Sequence, residues 1–83
     1  MNKKFDLEHR YQEYLKMVKL PESSMGETQR IEMKRTFMGA CGVLLMVLKE
    51  DLSALEEDEA VKELQKMFDQ IGNYFLKETN KQN

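Results

Sequence analysis

The chain has 83 residues, 41% of them hydrophobic and 34% charged, with one cysteine, one histidine and a formal net charge of −2. This length fits a single domain, residues 1–83, whose core is marginal without disulfides, metals or oligomerisation. One cysteine excludes an intramolecular disulfide, and one cysteine with one histidine cannot build a zinc site. We therefore expect no metal and no cofactor.

The first eight residues lack the apolar stretch of a signal peptide, and a lone thiol suits a reducing compartment. The uncharged apolar run from Phe37 to Leu48 has 12 residues, fewer than the roughly 18 of a membrane span. We expect a cytoplasmic protein with no membrane partner.

The first helix is predicted over residues 6–19. Its apolar side chains are spaced by three and four positions, which places them on one helical face. These side chains are Leu7, Tyr11, Tyr14, Leu15 and Val18. Pro21 disfavours helix at Leu20 and marks the first break in the chain.

The second helix is predicted over residues 25–52, and Ser24 with Glu27 has the spacing of a capping box at its start. The run from Phe37 to Leu48 lies inside this helix and is apolar on every side. A surface helix normally carries one apolar stripe, so a helix that is apolar all round must be covered all round.

The third helix is predicted over residues 57–76, after an acidic turn at residues 53–59. Acidic residues at a helix start interact favourably with the helix dipole. A clean seam for helix packing follows at Val61, Leu64, Phe68, Ile71 and Phe75. The tail at residues 79–83 has no apolar side chain and is predicted to fray.

Three helices without a strand predict an all-α fold, a three-helix up-down-up bundle with a long central helix. The first helix spans roughly 21 Å and the second roughly 39 Å, so the first helix reaches only to about Gly39. One side of residues 43–48 is then poorly covered in a monomer. Because a second copy would cover it, we expect a homodimer.

Self-association is predicted on one part of the second helix. The candidate residues are Gly39, Gly42, Val43, Met46 and Val47. Glycines let another backbone approach closely, as small residues do between membrane helices. The alternative is that these glycines admit a bulky aromatic of the same subunit, such as Tyr11, Tyr14 or Phe75.

No arrangement of residues predicts catalysis. His9 lies between Glu8 and Arg10 and is expected on the solvated surface, with no nucleophile to activate. Cys41 has apolar neighbours and is expected to be a small core residue, because reactive thiols need a positive, partly exposed setting. We therefore expect no catalytic residues and no enzyme.

Two charged regions are candidate contacts for a partner. Arg30, Lys34 and Arg35 form the densest basic patch, a candidate contact for a partner or for phosphates. Ordinary pairing with Glu27 or Glu32 is the alternative interpretation of this patch. The acidic turn suits either a mimic of nucleic acid or simple helix-start chemistry.

The segments Tyr11–Pro21 and Gln29–Ala40 together resemble small helical proteins carried by phages and prophages. The resemblance implies an accessory protein of a mobile element without enzymatic activity. We expect an adaptor that binds an unidentified protein partner. The alternative is a small nucleic-acid-linked regulator that binds phosphates through the basic patch or mimics nucleic acid through the acidic turn; nucleic acid is the less favoured partner.

Overall fold

The computed structural model describes residues 2–82, and no strand occurs within that range. Three α-helices follow one another: α1 is Leu7–Met17, α2 is Glu27–Met46 and α3 is Glu57–Gln82. The predicted all-α class with three helices is confirmed. The up-down-up arrangement and the homodimer stay predictions. Within α2 the chain divides into two units, one ending at Leu44 and the other beginning at Leu45.

The first unit has a small apolar core between α1 and the first half of α2. Tyr11, Leu15 and Met25 are buried there, and four partly buried side chains pack against them: Leu20, Met33, Phe37 and Met38. The ring of Phe37 lies 5.2 Å from that of Tyr11, centroid to centroid. The predicted apolar face of the first helix is therefore the face that packs on α2.

The C-terminus of α1 is closed by a pair of reversed hydrogen bonds. The Leu20 N–H donates to the Leu15 carbonyl at 2.9 Å, and the Lys19 N–H donates to the Lys16 carbonyl at 3.1 Å. This Schellman pattern requires a left-handed residue after the helix, and Lys19 has φ 57°. The motif turns the chain toward Pro21 and carries Leu20 to the core.

The predicted capping box at the start of α2 is wrong. Ser24 lies in a short 3₁₀ turn, Glu22–Ser24, and its hydroxyl donates to the Pro21 carbonyl at 2.8 Å. The serine is therefore bonded to the preceding turn and does not cap the helix. The first turn of α2 is instead closed by the Arg30 N–H, which donates to the Gly26 carbonyl at 3.0 Å.

The second unit begins with a change in helical pitch. A π turn, Val47–Asp51, follows α2, and a 3₁₀ turn, Leu52–Ala54, follows the π turn. The Leu52 N–H donates to the Val47 carbonyl, five residues back. The predicted second helix thus keeps helical backbone to its expected end near residue 52, but in wider and then tighter turns. Leu52 is the buried side chain of this segment.

α3 begins at the predicted residue and ends later than predicted. The Ala60 N–H donates to the Glu56 carbonyl at 2.9 Å, which closes the first turn. The helix continues to Gln82, so the part of the predicted frayed tail from residue 79 to residue 82 is helical. The Thr79 hydroxyl donates to the Phe75 carbonyl at 3.0 Å within this last part. No proline or glycine follows Gly72 to interrupt it. Asn83 lies outside the described residues.

Candidate protein-binding surfaces

The predicted self-association residues are divided between the two units: Gly39, Gly42 and Val43 lie on α2 in the first unit, and Met46 and Val47 belong to the second. Gly39 lies three residues before Gly42 and four before Val43, so these three residues share one helical face. Val43 is 65% exposed and Met46 is 59% exposed, whereas Val47 is half-buried. We call Gly39, Gly42 and Val43, which all lie in the first unit, the α2 patch. Its apolar atoms are available to another molecule.

The space beside the glycines of the α2 patch is open. A methyl group built on Gly39 or on Gly42 would meet no atom within 4 Å. Within the first unit, Tyr11 and Tyr14 therefore do not fill this space. The two glycines leave room for an approaching backbone.

The apolar seam of α3 is also exposed. Phe68 is 62% exposed, Phe75 is 58% exposed and Ile71 is 50% exposed. Val61 and Leu64 continue the same face with exposures of 61% and 37%, and Tyr74, which is 57% exposed, lies at its border. We call these six residues the α3 seam. Exposed apolar stripes of this length mark interaction surfaces in soluble proteins.

A groove lies at the N-terminal end of the α3 seam, within the second unit. It has a volume of about 270 Å³ and combines residues of the turn before α3 with residues of its first two turns. The apolar lining residues are Leu48, Leu52, Ala60, Val61 and Leu64. The sequence indicated the seam, but the groove depends on the π turn, for which the sequence gives no signal.

A second apolar groove lies in the first unit, beside the ring of Phe37. Its volume is about 440 Å³, and Tyr14, Met33 and Ala40 form the rest of its apolar wall. Gln29, Glu32 and Thr36 supply polar groups at this groove. The arrangement suits an apolar side chain of a partner more than a charged ligand.

The structure brings the three basic residues of the predicted patch to one shallow groove, together with Glu22. Two of them already have carboxylate partners. Lys34 Nζ lies 3.0 Å from Glu8 Oε2, and Arg35 Nη1 lies 3.2 Å from Glu32 Oε1. Arg30 forms no ion pair within residues 2–82. The paired state of Lys34 and Arg35 lowers the positive potential that a phosphate would meet.

The pair between Glu8 and Lys34 shifts the titration of both groups. Hydrogen bonds from Lys34 and Gln12 hold the pKa of the Glu8 carboxyl below its usual value. The same bond with Glu8 raises the pKa of the Lys34 ammonium. Lys34 also lies 5.6 Å from the centroid of the Tyr11 ring, a cation–π contact over the core. Through the ion pair with Glu8 and the contact with Tyr11, Lys34 links α2 to α1.

The remaining candidate residues show no catalytic geometry. His9 Nε2 lies 3.6 Å from Glu13 Oε2 on the surface of α1. Cys41 is a half-buried free thiol, less buried than the sequence predicted. The acids Glu57, Asp58 and Glu59 stand in the first turn of α3, where the helix dipole favours them. Within residues 2–82 no group of three metal-ligating side chains is assembled.

None of the helices described in residues 2–82 is both long and apolar enough to cross a membrane. Comparison of the chain with protein-family models, curated proteins and solved structures finds no match.

Proposed function

We propose that this chain is a non-enzymatic helical adaptor that acts through protein–protein binding, in the cytoplasm and as a homodimer. The observation that supports the proposal is that few apolar side chains are buried in the core while many are exposed on the surface. Four apolar side chains are buried in the described residues, whereas the α2 patch and the α3 seam are exposed. A chain of this size gains much of its stability by covering such stripes with another protein.

The charges agree with a protein partner. Two of the three residues in the basic patch are bound to carboxylates, and Glu22 lines the same groove. A nucleic-acid site would need unpaired cations along a phosphate backbone.

The α2 patch, which the sequence predicts for self-association, is the surface that we assign instead to the partner protein. Its two open glycines allow close backbone approach, while Val43 supplies the apolar contact. The Val43→Glu variant places a charge in this contact. Because Val43 is exposed in the free chain, the variant is expected to keep its native helix content.

The test is affinity capture from the source cell with immobilised native chain, Val43→Glu and a matched control, Leu45→Glu. Leu45 is 48% exposed on the same helix but lies off the patch. We expect one protein to be retained by the native chain and the control and to be lost with Val43→Glu. Equal capture by all three chains, or binding to duplex DNA that falls steeply with salt, would contradict the proposal.

A further inference from the structure

We propose that the α3 seam is the surface on which two copies of this chain pair, with their α3 helices antiparallel and with Phe75 of each copy seated in the groove of the other. This inference rests on the proposed function, because it names the surface through which the adaptor dimerises. It leaves the α2 patch free for the partner protein.

The first argument is area. The exposed surface of the six seam residues totals roughly 600 Å² per chain. A symmetric pair that covers this surface completely buries roughly 1,200 Å² in total. That value reaches the lower bound for specific interfaces. The α2 patch offers roughly 300 Å² for two copies, which is within the size range of incidental contacts. Of the two surfaces, the α3 seam is the one large enough to hold a dimer.

The second argument is shape. The groove lies at the N-terminal end of the seam. Tyr74 and Phe75 lie near the C-terminal end of the seam, where their rings form an edge-to-face pair with centroids 5.2 Å apart. Antiparallel pairing brings these two ends together twice, once on each side of a two-fold axis. A cavity of about 150 Å³ can hold a benzene molecule, so a groove of about 270 Å³ accommodates the ring of the partner's Phe75.

The register follows from the seven-residue repeat. Pairing of a and d positions in opposite directions sets Leu64 against the partner's Phe75, and Phe68 against the partner's Ile71. Val61 then faces the partner's Glu78 at each end of the seam. The apolar residues thus meet one another along the whole central part of the contact.

The third argument is charge. Glu57 and Glu78 continue the seam spacing at its two ends. A parallel pair would place each of these carboxylates against its own copy and would align the acidic first turns of both helices, which is unfavourable. The antiparallel pair separates these carboxylates and opposes the two helix dipoles. Charge therefore favours the antiparallel orientation.

The first experiment is disulfide trapping in a Cys41→Ser background, with Val61→Cys on one chain and Glu78→Cys on another. The two positions face each other in the antiparallel pair, whereas two copies of the same position lie roughly 25 Å apart, beyond the reach of a disulfide. We expect the mixture to form cross-linked dimers and each variant alone to stay uncross-linked. Cross-linking of each variant alone would show a parallel pair and overturn the proposal.

The second experiment measures the dimer dissociation constant by sedimentation for Phe75→Ala and a matched control, Leu76→Ala. Leu76 is 62% exposed and lies beside Phe75 but off the seam. We expect Phe75→Ala to weaken dimerisation by at least about tenfold, as truncation of an anchor side chain does, with little change for Leu76→Ala. Because both side chains are exposed in the free chain, circular dichroism should show native helix content for both variants.

The outcomes separate this inference from the proposed function. A native dimer that gives no cross-link in the mixture, or that is weakened by Val43→Glu and unaffected by Phe75→Ala, overturns the α3 pairing while capture of a partner protein still stands. A native chain that forms no dimer at any concentration overturns the α3 pairing and the homodimer together.

Discussion

Two single residues of the first unit, Lys34 and Lys19, make contacts or adopt conformations that can be tested separately from the apolar core. The ammonium of Lys34 joins the Glu8 carboxylate of α1 and also lies over the Tyr11 ring. Lys19 adopts the left-handed conformation that closes α1, a conformation that costs a side chain about 1–2 kcal/mol relative to glycine. Each residue gives a separate test of the structure.

Replacing Lys19 with glycine is expected to raise the free energy of unfolding by about 1 kcal/mol, because glycine adopts positive φ without steric cost. The matched control is Lys16→Gly, one turn earlier and inside the helix, which is expected to lower the free energy of unfolding by about 1 kcal/mol. Urea denaturation at a fixed protein concentration measures both. Destabilisation by Lys19→Gly would show that α1 does not end in this turn.

The pair between Glu8 and Lys34 predicts a loss of stability in acid. The pKa of Glu8 is lowered in the folded chain, so its contribution is present above the usual carboxyl pKa and is lost as the pH falls through the folded value. We expect the native chain to be more stable than Glu8→Gln at neutral pH and the difference to shrink in acid, as the pH falls below the usual carboxyl pKa and through the lowered pKa of Glu8. A difference that is the same at neutral and at acid pH would contradict the ion pair.

At the scale of elements, α2 and α3 differ in what their apolar residues do. The first half of α2 packs on α1 through Met33, Phe37 and Met38. The second half of α2 and almost the whole seam of α3 remain exposed. Periodicity predicts which residues share a face, but it does not show whether the same chain covers that face.

Alanine substitutions at the glycines of the α2 patch are expected to change stability and partner binding in opposite directions. Gly39→Ala and Gly42→Ala add methyl groups in open space within a helix, so each is expected to raise the free energy of unfolding by about 0.5–1 kcal/mol. The same methyl groups obstruct close approach by a partner backbone, so capture of the partner protein is expected to weaken. Thermal denaturation and the capture assay measure the two effects. Unchanged capture by the double variant would show that the glycines do not contact the partner.

For the whole molecule, the sequence predicted the helical class, the three helices and the break at Pro21, because spacing and proline act locally. It missed the closing turn at Lys19, since lysine carries no signal for positive φ. It also placed Ser24 in a capping box, although the Pro21 carbonyl competes for that hydroxyl. The groove beside Leu52 depends on a π turn that no residue pattern predicts. The α3 seam was recognised as a packing face, but its exposure is visible only in the structure.

The central claim is that this chain covers its exposed α3 seam by self-association. Sedimentation equilibrium of the native chain, from below one micromolar to tens of micromolar, tests it most directly. The account predicts a single species of twice the monomer mass at the upper end, which dissociates on dilution as the law of mass action requires. A species of monomer mass at every concentration, with native helix content in circular dichroism, would contradict the account.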